Sequence, residues 1–265
     1  MDDAESTGVS RAPRIGQGLL VAAAALVLLG GLGLRVPFLD GVPSGGTDEG
    51  VWQTLALELH FGHDAAHQSD ASFVTLLAAR LVSFGFALFG PATWSGRAIW
   101  VAITGIGALT VVVISFRKAC PALGIFAAAL YLFHPWAIAW SRTVSVPYAV
   151  CLAIGVALPA LFIYAAESHR FWTKTLAYTV CCQLGAIALQ MSPLAVLPPA
   201  ACGIWLLLSR YRRDLVRGPF AIAILLGVLH AVPVVLNILS ATDRVGSPDN
   251  EFHWWRAEKY LFGVV

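Results

Sequence analysis

The sequence predicts an all-α integral membrane protein of seven transmembrane helices, with amphipathic interfacial helices in its first external loop. Three observations predict it. Of the 265 residues, 58% are apolar and only 12% are charged, where an ordinary soluble domain carries about 25% charged residues. Eight apolar runs follow one another along the chain, most of them near the ~20 residues that a bilayer requires. The lysines and arginines between those runs form a pattern that seven crossings satisfy and eight do not. The same composition excludes other classes. Five cysteines in a chain of this length do not make a disulfide scaffold, and a net charge of +2, spread along the chain, does not make a nucleic-acid binder. So much apolar sequence excludes disorder, and the spans with their loops leave no room for a large soluble domain.

The first run, 18–34, follows Arg11 and Arg14 and lacks a small-x-small cleavage site before Arg35. It reads as a retained span with a cytoplasmic N-terminus at 1–16. Further runs lie at about 72–90, 98–116, 120–140, 147–166, 175–190, 193–209 and 219–240. If all of them crossed, Arg117, Lys118, Arg170, Lys174, Arg210, Arg212, Arg213 and Arg217 would lie outside, against the positive-inside rule. Removing the run at 72–90 restores every later loop. That run carries Arg80 at its centre, where a charge is costly in lipid, so it is expected to lie in the outer interface. A single membrane domain results, with a first span at 17–35, an external loop at 36–96, six further spans at 97–240 and an external interfacial tail at 241–265. Cys120, Cys151, Cys181, Cys182 and Cys202 read as small buried hydrophobes.

The informative stretch is Gly45-Gly46-Thr47-Asp48-Glu49-Gly50-Val51-Trp52. Val51, Trp52, Leu55, Ala56 and Leu59 recur at helical spacing, so a short amphipathic helix should start near Asp48 with Thr47 as N-cap. Asp48 and Glu49 then stand in its first turn, as reactive carboxylates or simply because acids favour helix N-termini. Arg35, Arg80, Arg97 and Arg142 all fall on the outer side beside apolar sequence. An arginine fork binds phosphate oxygens with directed bonds, so these four are candidates for a lipid-linked phosphate; the alternative is snorkelling to headgroups. His60, His63 and His67 have spacings that would put them on one helix face beside Asp64. That makes His63 and His67 weak zinc candidates, but Gly62 interrupts the segment and solvated loop histidines are the better reading.

Taken in order, several segments resemble one family. They are Leu34-Arg35-Val36-Pro37-Phe38-Leu39, Thr47-Asp48-Glu49, Leu88-Phe89-Gly90-Pro91 and Trp94-Ser95-Gly96-Arg97, then Gly107-Ala108-Leu109-Thr110, His134-Pro135-Trp136, Trp140-Ser141-Arg142 and Val146-Pro147-Tyr148-Ala149. Together they resemble the polytopic glycosyltransferases of the GT-C class, specifically the bacterial protein O-mannosyltransferase and aminoarabinose-transferase-like group. The resemblance covers about 35–165. It implies interfacial helices in the first external loop, as the charges suggest independently. It also implies transfer of a sugar from a polyprenyl-phosphate carrier to an acceptor, at the outer face of a bacterial inner membrane.

On that resemblance Asp48 matches the general base or acceptor-orienting acid and Glu49 its companion. Arg142 matches a basic position near the donor phosphate, and Tyr148 and Trp52 are the expected substrate contacts. Two departures bear on the expectation. Asp70-Ala71-Ser72-Phe73 stands where the family has a His-Pro-Pro or Lys-Pro-Pro start to an interfacial helix, and family enzymes continue beyond the seventh span. The alternative is therefore a non-catalytic GT-C-derived subunit that serves as scaffold or assembly factor. A lipid flippase would need internal repeats, which the sequence lacks. Expected partners are membrane lipids, the polyprenyl-phosphate sugar and a second membrane chain; no organic cofactor and no nucleic acid are expected, and a metal is left open.

Overall fold

The computed structural model describes residues 14–37, 39–41, 47–62, 73–144, 149–191, 196–216, 218–227 and 229. Every regular element among them is helical. In chain order they are α1 (Arg14–Gly33), a 3₁₀ turn (Leu39–Gly41), α2 (Thr47–His60), α3 (Phe73–Phe89), α4 (Thr93–Arg117), α5 (Pro121–Phe133), α6 (Pro135–Ser141), α7 (Cys151–Glu167), α8 (Phe171–Met191) and α9 (Leu197–Leu208). A second 3₁₀ turn (Arg212–Val216) and α10 (Gly218–Gly227) follow.

The helix α4 organises the rest. It packs against α1, α3, α5 and α7, and two cores form on different parts of its surface. Trp100 joins Trp52, Ala56, Val82, Phe86, Leu158, Phe162, Tyr178 and Leu206 in the larger core, which draws on α2, α3, α7, α8 and α9. Ala108 and Val112 join Ala24, Ile125, Ala128 and Leu132 in the smaller one, built from α1 and α5. Small residues set the crossing distances, as is usual where helices associate without much hydrophobic gain. A Cβ on Gly85 would lie 2.5 Å from the Ser95 carbonyl oxygen, and one on Gly107 would lie 3.0 Å from that of Ala153. Either would push α4 away from α3 or α7.

Among the described residues, two helices are long and apolar enough to cross a membrane, Gly16–Gly33 and Thr93–Arg117. The pair Pro121–Phe133 and Pro135–Ser141 makes a third only if its two parts, bent by 64°, count as one span. The break falls at His134-Pro135, because a proline ring has no N–H for the ladder and pushes the preceding residue to extended backbone. Other apolar helices, Leu77–Phe89, Cys151–Glu167, Leu197–Leu208 and Gly218–Gly227, are shorter. The seven crossings expected from charge thus depend on short helices as well as long ones.

Between α1 and α4, α2 and α3 pack against each other, with α3 also against α4. The expected helix near Asp48 is present as α2, with Thr47 already its first residue. Of its predicted apolar face, Trp52, Leu55 and Ala56 are buried, whereas Val51 is 56% exposed. Arg80 is exposed on α3. The aromatic tail at 241–265 lies outside the described residues.

Candidate functional site

The turn after α1, the start of α2, the start of α4 and the segment after α6 meet at one end of α4. Glu49, only 2% exposed, is the common point. Its Oε1 accepts from Arg97 Nε at 2.7 Å, from Gln53 Nε2 at 3.2 Å and from the Val144 backbone N–H at 3.2 Å, and its Oε2 accepts from Arg97 Nη2 at 3.2 Å. Arg97, also 2% exposed, donates its remaining nitrogen to the Leu39 carbonyl oxygen. This two-pronged arginine–carboxylate pair is the strong form of the interaction, and each partner supplies the charge that makes the other's burial tolerable. It ties together four pieces of chain.

Around it lie two more of the predicted arginines. Arg35 is fully buried; its Nε donates to Ser141 Oγ at 2.7 Å, and its Nη1 donates to the carbonyl oxygens of Gly31 at 2.5 Å and Leu132 at 2.7 Å. Its Nη2 is buried with no hydrogen-bond partner among the described residues. The next residue after Ser141 is Arg142, whose Nη2 donates to the Pro37 carbonyl oxygen at 2.7 Å while its Nε is buried with no partner among the described residues. Asp40 Oδ1 accepts from the Trp94 backbone N–H at 3.2 Å, satisfying one free donor of the first turn of α4.

Of the residues predicted for this site, Glu49, Arg97, Arg35 and Arg142 are therefore together at one end of α4. Glu49 and Arg97 are committed to each other. Trp52 belongs to the core beside α3 and α4. Asp48 is in the first turn of α2, but its side chain lies outside the described residues, as do Tyr148, His63 and His67. No group of three metal-ligating side chains occurs among the described residues. His60, partly buried, packs edge-on against the exposed Phe61 and the buried Phe86.

The chain matches no protein-family model, no curated protein and no solved structure. The site's chemistry is carried by its own residues alone. Sequence reasoning passed over Gln53 and Ser141, which hold Glu49 and Arg35. Helical spacing does not single out Glu49, since Asp48 stands four and seven residues before buried Trp52 and Leu55 just as Glu49 stands three and seven before buried Trp52 and Ala56. No local signal marks Ser141, which meets Arg35 across 106 residues.

The opposite end of α4 carries a second polar cluster. Lys118 Nζ pairs with Glu167 Oε2 at 2.6 Å, and Lys174 Nζ pairs with Asp214 Oδ2 at 2.6 Å. Tyr178 donates to the same Asp214 oxygen at 3.2 Å. Asp214 is a lone acid in the basic run Arg210-Tyr211-Arg212-Arg213-Asp214-Leu215-Val216-Arg217, and that isolation is the signal that its role is to dock the run.

Proposed function

We propose that the chain is a membrane-embedded, glycosyltransferase-like module that uses a polyprenyl-phosphate-linked sugar at the outer face of a membrane. The membrane placement is supported by three features. Arg97 and Lys118 are separated by about 30 Å of helix, the thickness of a bilayer's hydrocarbon core. Lys118, Lys174, Arg210, Arg212 and Arg213 line one cavity at the far end, as the positive-inside count requires of a cytoplasmic face with seven crossings. Leu26, Leu29, Trp172 and Leu208, each more than 70% exposed, belong to surfaces suited to lipid.

The observation that carries the transferase reading is convergence. Residues 35, 37, 39, 49, 97 and 141–144, taken from segments that resemble GT-C enzymes, meet at the end of α4 away from the basic cavity. In this reading the locked Glu49–Arg97 pair does not react. It fixes the first turn of α2 and so positions Asp48, which takes the proton of the acceptor hydroxyl. The hydroxyl oxygen bonds to the anomeric carbon as the bond to the carrier phosphate breaks, with inversion, and the released polyprenyl phosphate is neutralised by Arg142. A second membrane chain covers the lipid-facing side of the site.

Asp48→Asn tests this, since asparagine still suits the start of a helix but accepts no proton. Sugar transfer from a radiolabelled polyprenyl-phosphate donor in membranes should fall about 100-fold or more with the protein still folded. Unchanged transfer rejects Asp48 as base. The scaffold reading has one observation in its favour, namely that Glu49 and Arg97 are spent on each other. It requires that the unaltered protein show no transfer at all.

A further inference from the structure

The basic cavity has no part in the transferase reading. It encloses about 830 Å³ and is lined from three stretches of chain: Lys118 after α4, residues 166–169 with Lys174 around the α7–α8 turn, and residues 208–214. Five lysines and arginines stand there against two carboxylates, Glu167 and Asp214, and both carboxylates are already paired with lysines. The surplus of positive charge therefore belongs to Arg210, Arg212 and Arg213.

Topology alone does not account for this arrangement. Positive-inside bias asks for cations in cytoplasmic loops, not for loops folded into a rigid cup. Here the arginine-bearing segment is held in place: Asp214 is 2% exposed and bonded to Lys174 and Tyr178, its N–H donates to the Tyr211 carbonyl oxygen at 2.8 Å, and the Tyr211 N–H donates to Ser209 Oγ at 3.1 Å. Arg210 lies 4.9 Å from the centre of the Tyr211 ring and donates to its hydroxyl. Arg212 and Arg213, which lie between the anchored Tyr211 and Asp214, are exposed and have no carboxylate partner among the described residues. Guanidinium forks beside serine hydroxyls are what phosphate oxygens require. The lining is mostly polar, but it includes Leu208 at 84% exposure, and Trp172, two residues before Lys174 in the chain, is 78% exposed.

We propose that this cavity binds the phosphate headgroup of an anionic phospholipid, with the acyl chains lying outward against Leu208. The ligand class is a phosphate ester of more than one negative charge, and the exposed Leu208 on the lining, with Trp172 exposed on the adjoining helix α8, favours its lipid-borne form over a soluble one. The proposal rests on the membrane placement and is independent of sugar transfer. The test is native mass spectrometry of the full chain in mild detergent, titrated in parallel with cardiolipin, phosphatidylcholine, inorganic phosphate and inositol hexakisphosphate. One cardiolipin per chain should remain bound under activation that strips phosphatidylcholine. The exposed pair of changes Arg212→Gln and Arg213→Gln should weaken that binding about tenfold or more. Arg117→Gln, which removes an exposed charge at the same end but outside the cavity, should change it less than about twofold. An equal loss with Arg117→Gln, or equal retention of phosphatidylcholine, would overturn the site. Binding of inositol hexakisphosphate or inorganic phosphate without cardiolipin would overturn the lipid assignment.

Discussion

The two ends of α4 carry the same chemistry in different surroundings. Glu49 and Arg97, each 2% exposed, meet in the interior, whereas the side chains of Lys118 and Glu167 are 22% and 32% exposed. Lys174 and Asp214 fall between, at 13% and 3%. Water decides what each pair does. Where it is excluded, losing one partner strands a charge, so the pair determines how four segments are assembled. Where it is admitted, the pair contributes little and the remaining cations stay available to a ligand.

This contrast orders the expected effects of substitution. Glu49→Gln leaves the Arg97 guanidinium buried without a counter-charge and should cost about 3–5 kcal/mol in thermal unfolding of the purified protein. The double change Glu49→Gln with Arg97→Met should recover part of that loss, because the stranded charge is gone. Lys174→Met leaves Asp214 with its Tyr178 bond and should cost about 1–3 kcal/mol. Lys118→Met should cost less than about 1 kcal/mol, since both partners reach water. If Lys118→Met proved as damaging as Glu49→Gln, exposure would not be what separates the two ends.

Legibility in the sequence followed the range over which each interaction acts. The start of α2 was readable to within a residue, because helix period and N-terminal acids are local signals. The expectation that 72–90 lies apart from the spans came from Arg80, and the structure shows Arg80 exposed on a helix that packs beside α2. The bend at His134-Pro135 was only half legible. Proline marks a place where a helix is weakened, and whether it kinks or turns by 64° depends on neighbours. Least legible were the assignments within the polar cluster. Asp48 and Glu49 look equivalent in a string of letters, and the partners that hold Glu49, Arg97 and Val144, lie 48 and 95 residues away.

Arg35 is the exception to the rule that a buried charge needs a partner of opposite sign, since it has no carboxylate among the described residues. Its two carbonyl acceptors come from particular places: Gly31 in the last turn of α1 and Leu132 in the last turn of α5. A helix C-terminus carries roughly half a negative charge from its unpaired carbonyl groups, so two of them meeting one guanidinium sum to about one. The counter-ion of Arg35 is thus spread over two macrodipoles. That arrangement links the position of this arginine to the break at Pro135: the bend stops α5 at Phe133 and so delivers its carbonyl end to the cation. A helix that ran straight through would have spent the Leu132 carbonyl on its own ladder and left the charge uncompensated.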